Sequence, residues 1–580
     1  MAAPLSFVWV WDLELGRDAL WAFVSDTQRF NGLLGLDPIE IGKSDAKSPG
    51  LRKLTQKQLG RVVHYTEEAF EWDRPYDFSV RRFFEEGGMK ELTTRVRVES
   101  LSPERSRLHY AFEFQPSSFA WSLIYKVAFP AFKGKVDRLL ASFVHRQQSL
   151  GNSVSPPPVA PVTWAEGGQQ RLSEALDQLV GFGQDASLGR LFGAWISQAD
   201  GFDLARIQPY RLAEQWKLPR RQVLEFMLEA TRVGMVSLQW EILCPSCRGS
   251  SQRFTSLAQL KEHGDCDSCQ VAYAVSFDRL VEATFVVHPS IRPSIDGSFC
   301  TGGPQKTPHV VFQKWFEAEE KREVSVRETG HYRVRFLGKN GFEEVEVPVG
   351  GRITVENLHG ERALALVERT VWLEIAASAR DLLGLQRFRD LYATDAVAKG
   401  ALFPMGQETI VFTDLKGSTK LYLRAGDVTA FQKVLTHFEI LKKHVNAEEG
   451  VIVKTIGDAI MAVFDRPIQA VRAMASAQAA LAELGDENLV LKAGIHAGSC
   501  LSVNLNDRMD YFGTTVNLAS RLESFSKGDD MILSPEVVAD AEVRAWLDST
   551  ASAWAREDLD AKLKGFDEGS FKLLRVVRPT

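Results

Sequence analysis

The sequence predicts an α+β protein of several domains, and three observations carry that reading. A chain of 580 residues is too long for one hydrophobic core and suits about three or four domains of ordinary size. Helical and strand-like periodicities fall in separate runs rather than in regular alternation. A proline-rich stretch at residues 152–163, NSVSPPPVAPVT, cannot extend a helix and divides the chain as a semi-rigid linker. Hydrophobic residues make up 45% and charged residues 25% of the chain, enough to fill several cores. The net charge of −6 provides no global basic field to draw the chain to nucleic acid or anionic lipid. No apolar run reaches the roughly 18 residues of a membrane span. The apolar start also lacks the basic region of a signal peptide. A cytoplasmic protein is therefore expected.

The first segment, residues 1–151, opens with an amphipathic helix expected over residues 17–30 (RDALWAFVSDTQRF), with Leu20, Phe23 and Phe30 toward one face. FSVRRFF, TTRVRVESL and RLHYAFEF then alternate as strands of an antiparallel sheet with one wet face. A long helix over residues 122–148 closes the segment, kinked at Pro130 or starting there.

The middle region, residues 164–385, begins helical. PYRLAEQWKLPRRQVLEFMLEATRVGMVSLQWEIL reads as helix, turn, helix, strand, with Leu224, Met227 and Leu228 on one apolar face. Within residues 241–275, Cys244 and Cys247 form one CxxC pair and Cys266 and Cys269 another, eighteen residues apart. That is the spacing of a four-thiolate zinc ribbon, so a closed, structural Zn²⁺ is expected, with His263 left at the surface. Residues 283–376 are rich in strands and turns, as in a small β-domain. Residues 386–405 are expected to link this region to the catalytic part, residues 406–580.

Three segments of that last part carry chemistry. TIVFTDLKGST ends an apolar strand in Asp414 and a Gly-Ser-Thr turn. A carboxylate there is costly unless paired or metal-bound, and a turn at a helix start suits phosphate. GVIVKTIGDAIMAVF reads as a hairpin turning at Gly457-Asp458. Its Lys454 lies in an apolar strand and needs a polar partner or an open cleft. Two strand-end aspartates can hold a pair of hard divalent ions, Mg²⁺ or Mn²⁺, suited to in-line displacement at phosphorus. DYFGTTVNLASRLES reads as a turn entering a helix. Asn517 and Arg521 share one face at i and i+4, while Leu518 and Leu522 turn inward. An amide and a guanidinium so placed can orient a sugar and neutralise phosphate charge.

Together and in this order, the three segments resemble the signature motifs of the class III adenylate and guanylate cyclases, over residues 407–576. The resemblance implies a palm-type βαββαβ core working as a head-to-tail homodimer with active sites between subunits. It implies that Asp414 and Asp458 bind two metal ions, assisted by the Leu415 carbonyl. It implies that Lys454 and Asp510 read adenine, that Asn517 orients the ribose, that Arg521 stabilises the transition state and that Lys564 holds the triphosphate. The implied reaction converts ATP to cyclic AMP and pyrophosphate. Guanylate cyclases of the family carry Glu and Cys or a small residue where Lys454 and Asp510 stand. The alternatives are a guanylate cyclase, or a ligand- or nucleic-acid-binding regulator with an inactive cyclase domain. The complete residue set argues against the second.

Residues 1–151 resemble the START/polyketide-cyclase superfamily in element order and in RDALWAFVSDTQRFN. That resemblance implies a helix-grip fold enclosing a cavity for a small hydrophobic ligand, with Trp72, Phe78, Phe83 and Phe84 lining or filling it. Residues 209–239 resemble a winged helix–turn–helix. Arg220 and Arg221 on its second helix are offset by Glu225 and Glu229, which favours a structural or protein-contact module over nucleic-acid binding.

Overall fold

The computed structural model describes residues 3–42, 50–58, 60–149, 162–246, 248–266, 271–339, 341–370, 375–418, 422–423, 426–550, 554–563 and 570–578. No helix among them is long and apolar enough to cross a membrane. Cys247, Cys269 and Lys564, and residues 152–161 of the proline-rich stretch, lie outside the described residues.

The N-terminal meander runs Asp77–Phe84, Met89–Ser102, Arg105–Pro116, each strand antiparallel to the next. Leu5–Leu13 closes against the last of them. Alternation turns Phe78, Val80, Val96, Val98 and Leu108 inward and leaves Arg81, Arg95 and Arg97 exposed. The helix expected over residues 17–30 is two helices, Arg17–Val24 and Thr27–Leu33. Ser25 bonds back to the Trp21 carbonyl at 2.6 Å, and the Asp26 carboxylate accepts the Arg29 amide at 3.1 Å. Ser and Asp thus draw the backbone out of the helix by capping one end and restarting the next. The long helix Phe119–Ser149 contains Pro130 rather than starting there. Its second half supplies Val136, Leu140 and Phe143 to the core, where Phe143 stacks on Phe23 with centroids 3.8 Å apart.

The first segment and the β-rich part are not separate sheets. Glu71–Asp73 pairs with Val310–Phe316 in the register Trp72↔Gln313 and Asp73↔Phe312. The Trp72 indole donates to the Val310 carbonyl at 3.0 Å. Among the described residues one twelve-stranded sheet therefore runs from the N-terminal meander through Val310–Phe316, Ala363–Arg369 and Gly330–Phe336 to Glu343–Val347. Val281–Val287, expected at the start of the β-domain, instead pairs with Val236–Leu243.

The helices Pro209–Trp216 and Arg220–Arg232 and the strand Val236–Leu243 form as expected, with Leu224, Met227 and Leu228 buried. Arg220 pairs with Glu214 at 2.5 Å and Arg221 with Glu225 at 2.9 Å, so both arginines are offset. Glu229 takes no part in that. It is buried and bonded to Arg387.

Residues 386–405 are packed rather than free. They hold the short helix Gln386–Leu391, and Phe388 is buried in the core beside Trp240. The first strand of the C-terminal unit begins earlier than expected, at Phe403, where Phe403 stacks on Phe277.

The C-terminal unit runs strand, helix, strand, strand, helix, strand: Phe403–Leu415, Asp427–Ala447, Val451–Ile456, Ala459–Phe464, Pro467–Glu483 and Leu491–Leu505. This is the βαββαβ order. Phe403–Leu415 sits centrally, antiparallel to Ala459–Phe464 on one side and to Leu491–Leu505 on the other. The two helices cover one face through Leu441, Val445, Val471 and Met474. The other face contributes Ile410, Met461, Cys500 and Tyr511 to the core of the middle region. The middle region is therefore packed directly on the sheet that carries the site.

Candidate active site

Asp414 stands one residue before the end of the central strand, between buried Thr413 and Leu415. Across the ladder it faces Lys492, whose ammonium is 3.7 Å from its carboxylate and also bonded to Glu523. Asp458 follows Gly457, which adopts a positive φ of 65°, in a two-residue turn closed by Ile456↔Ala459. A left-handed residue at this position is what glycine supplies without steric cost. The Asp458 Oδ2 is buried, with no hydrogen-bond partner among the described residues. Burial pushes the Asp414 carboxyl above its ordinary range, and the charges of Asp458 and Glu523 push it further. Two carboxylates that repel each other, one with an orphaned oxygen, fit hard divalent cations. Among the described residues no group of three or more His, Cys, Asp and Glu gathers as for a metal. The rest of the shell would fall to the Leu415 carbonyl and substrate oxygens. Beneath the turn, burial holds the His437 ring neutral, its pKa lowered to about 4.

Lys454 and Asp510 are brought into contact. Lys454 lies on the outer hairpin strand beyond a bulge between Ile452 and Lys454, a device that re-aims side chains. Asp510 lies on the strand Arg508–Phe512, not in a turn, opposite Val503. The Tyr511 amide donates to its other carboxylate oxygen at 2.8 Å. A lysine in an apolar strand and a buried aspartate thus satisfy each other.

Asn517 and Arg521 lie on the helix Thr514–Leu522, with Asn517 exposed and Arg521 half-buried. Leu518 and Leu522 pack inward. Thr515 donates to the Ser499 carbonyl at 2.5 Å, tying the helix to the sheet. Close approach is possible because Gly494 has no side chain: a Cβ there would sit 2.3 Å from the Glu523 amide nitrogen. Lys564 lies outside the described residues, as does Thr419, the last residue of the Gly-Ser-Thr turn. Two charged neighbours escaped the sequence reading, Lys492 and Glu523. Lys492 carried the same signal as Lys454, a lysine inside an apolar strand.

Residues 403–565 match the adenylate and guanylate cyclase catalytic domain model. The C-terminal unit is a cyclase catalytic domain. Residues 169–298, in the middle region, match a family of unknown function (DUF5939). The chain is 32% identical over 160 residues to an adenylate cyclase of Schizosaccharomyces pombe, covering 23% of this chain and 9% of that protein. It is 28% identical over 200 residues to one of Mycosarcoma maydis, covering 30% and 8%. The chain thus spans less than a tenth of these fungal relatives. The crystal structure of an adenylyl cyclase from P. aeruginosa aligns over 31% of this chain and 97% of that one, at 23% identity and a TM-score of 0.26.

In the middle region, Cys244 and Cys266 are both buried and fall in one small cluster with Val271 and Tyr273. The Cys244 sulfur accepts the Ser246 amide at 3.3 Å, while the Cys244 carbonyl accepts the Arg248 amide at 2.8 Å. His263 is exposed. In the N-terminal part a cavity of about 370 Å³ is lined by Phe78, Phe84, Phe112, Phe129 and Phe132 and reached by Arg82. Phe83 points out to solvent, and Trp72 is buried against the β-rich strands instead.

Proposed function

We propose that the protein is an adenylate cyclase, converting ATP to 3′,5′-cyclic AMP and pyrophosphate. The observation that carries this reading is the contact between Lys454 and Asp510 inside a cyclase catalytic domain. A lysine can donate to adenine N1 and an aspartate can accept from the 6-amino group. Guanine presents the opposite pattern, a donor at N1 and an acceptor at C6. In the reaction the ribose 3′-hydroxyl gives up its proton to solvent and its oxygen bonds to the α-phosphorus as the bond from that phosphorus to the bridging oxygen breaks, releasing pyrophosphate. Asn517 would hold the ribose, Arg521 would neutralise charge growing on the phosphate oxygens, and Lys564 would hold the triphosphate. Asp414 and Asp458 would hold two Mg²⁺ or Mn²⁺ ions, which when bound acidify the 3′-hydroxyl and offset the leaving-group charge.

A second copy of the chain is proposed to complete each site. Exposed Val428, Phe431 and Leu435 recur at i, i+3 and i+7 on the helix Asp427–Ala447, and Ile456 and Phe512 are exposed beside the purine pair. Apolar surface gathered around a site favours association.

The test is cyclic nucleotide formation by the purified full chain with Mn²⁺, from ATP and from GTP. Cyclic AMP is expected, and product from GTP alone would replace this reading with a guanylate cyclase. Lys454→Glu with Asp510→Cys is expected to lower kcat/KM for ATP about 10²-fold, since both hydrogen bonds to adenine are removed. An unchanged preference for ATP would remove these residues from base reading.

A structural Zn²⁺ held by Cys244, Cys247, Cys266 and Cys269 is proposed from the spacing and from the convergence of the two described thiols. Elemental analysis is expected to return about one zinc per chain, because a closed four-thiolate site binds tightly. Far less rejects the site. The aromatic cavity of the N-terminal part is proposed to take a small hydrophobic ligand and to serve, with the middle region, in regulating the cyclase domain.

A further inference from the structure

The helix Gln386–Leu391 touches both strands that carry the purine pair. The Ile452 amide, at the bulge two residues before Lys454, donates to the Gln386 side-chain oxygen at 3.0 Å. On the other strand Arg389 grips the residues on either side of Asp510. Its guanidinium donates to the Met509 carbonyl at 3.1 Å and lies 5.4 Å from the centre of the Tyr511 ring. Tyr511 is itself the residue whose amide holds the Asp510 carboxylate. Just beyond the helix, the Val397 amide reaches the Met509 sulfur at 3.3 Å, and Asn504 donates to the Val397 carbonyl at 2.8 Å.

The far side of the same helix is fastened to the middle region. Arg387 is bonded to the buried Glu229. Phe388 packs edge-on against Trp240 and stacks on Tyr392, whose hydroxyl bonds to Thr231 at 2.7 Å. Asp395 accepts from Ser256 at 2.9 Å and from the Leu257 amide at 3.0 Å. Through Arg387, Phe388 and Tyr392 on one side and Gln386 and Arg389 on the other, this segment joins the helix Arg220–Arg232 and the strand Val236–Leu243 to the strands that carry Lys454 and Asp510.

We infer that Gln386 and Arg389 are positioning residues for base recognition, and that their helix is where the middle region acts on purine choice. The inference rests on reading Lys454 and Asp510 as the purine pair. Neither residue needs to touch substrate. Each fixes the strand on which one reader stands, and a pair placed slightly wrong loses the hydrogen bonds that separate adenine from guanine. A contact that serves substrate and transition state alike acts on KM rather than on kcat.

The experiment uses the full chain, with wild type, Gln386→Ala, Arg389→Ala and Arg389→Lys assayed for kcat and KM on ATP and GTP, and for melting temperature. Arg389→Ala is expected to raise KM for ATP about 10-fold and to shrink the ATP-over-GTP ratio by a similar factor, with kcat changed less than about 2-fold. Gln386→Ala is expected to move the same two quantities in the same direction. Arg389→Lys should fall between, because an ammonium can meet the Met509 carbonyl but does not stack on Tyr511 as a guanidinium does. A lowered melting temperature with KM and the nucleotide ratio unchanged would assign both residues a merely structural role and overturn the inference. If Arg389→Ala does not fold, Gln386→Ala and Arg389→Lys decide on the same readouts. A wild type that makes cyclic AMP beside variants of unchanged selectivity sinks this inference alone. A wild type inactive on both nucleotides sinks the proposed function, and the inference with it.

Discussion

Asp458→Ala protein is expected to lose cyclic AMP formation by about 10³-fold or more, equivalent to about 4 kcal/mol of transition-state stabilisation. Asp458 keeps a buried carboxylate oxygen without a partner among the described residues, and its charge helps to raise the Asp414 pKa. Such a pair costs the fold something and is retained where a cation offsets it. Two outcomes should therefore separate. In the presence of a chelator the variant should melt at or above the wild-type temperature at neutral pH, because a repulsion has been removed. Added Mn²⁺ should raise the wild-type melting temperature and leave the variant nearly unmoved, as expected when binding to the native state is what stabilises it. A variant that keeps its activity removes Asp458 from the metal pair. A variant that loses activity together with its fold would leave the Mn²⁺ shift of wild type against Asp414→Asn to decide the same question.

The parts of this protein that were legible in sequence are local ones. Gly457-Asp458 between two apolar runs announces a hairpin, because the turn needs a left-handed residue and the strands need nothing else. Leu518 and Leu522 beside Asn517 and Arg521 place the helix Thr514–Leu522 and its exposed face by spacing alone. Lys454 was recognisable as a lysine in want of a partner, but its partner stands at position 510, and only the family likeness joined them. The same limit explains what was missed. The pairing of Trp72 and Asp73 with Gln313 and Phe312 joins strands more than two hundred residues apart in sequence, and a short strand carries no mark of its neighbour. The helix Gln386–Leu391 is too short to display a period, with Phe388 its one buried side chain, so it passed for a linker. The break at Ser25-Asp26 was legible in principle, since both residues favour helix caps over helix interiors. There the apolar spacing of Leu20, Phe23 and Phe30 outweighed the cap signal.

Mixing two inactive variants should restore activity if the sites lie between subunits. Asp458→Ala lacks a metal ligand and Arg521→Ala lacks the proposed phosphate-neutralising cation, so each homodimer is expected to be inactive. In a heterodimer one site takes its carboxylates from the Arg521→Ala chain and its arginine from the Asp458→Ala chain, and is intact. The other site carries both lesions. With random reassortment half the dimers are mixed and half their sites work, so the mixture should recover about a quarter of the wild-type rate. The placement of the groups favours this outcome. Asp414 sits among Asp458, Glu523 and Lys492 of its own chain, while Asn517 is turned to solvent on the helix Thr514–Leu522. The apolar side chains Val428, Phe431, Leu435, Ile456 and Phe512 are exposed on the same domain, where a partner would cover them. Replacing Phe431 with Asp should then abolish the recovery and the wild-type activity together, with sedimentation moving from dimer toward monomer. Complementation that fails while both variants remain folded dimers would place the carboxylates and Arg521 of each site in one chain. The exposed apolar side chains would then have to be assigned to another contact.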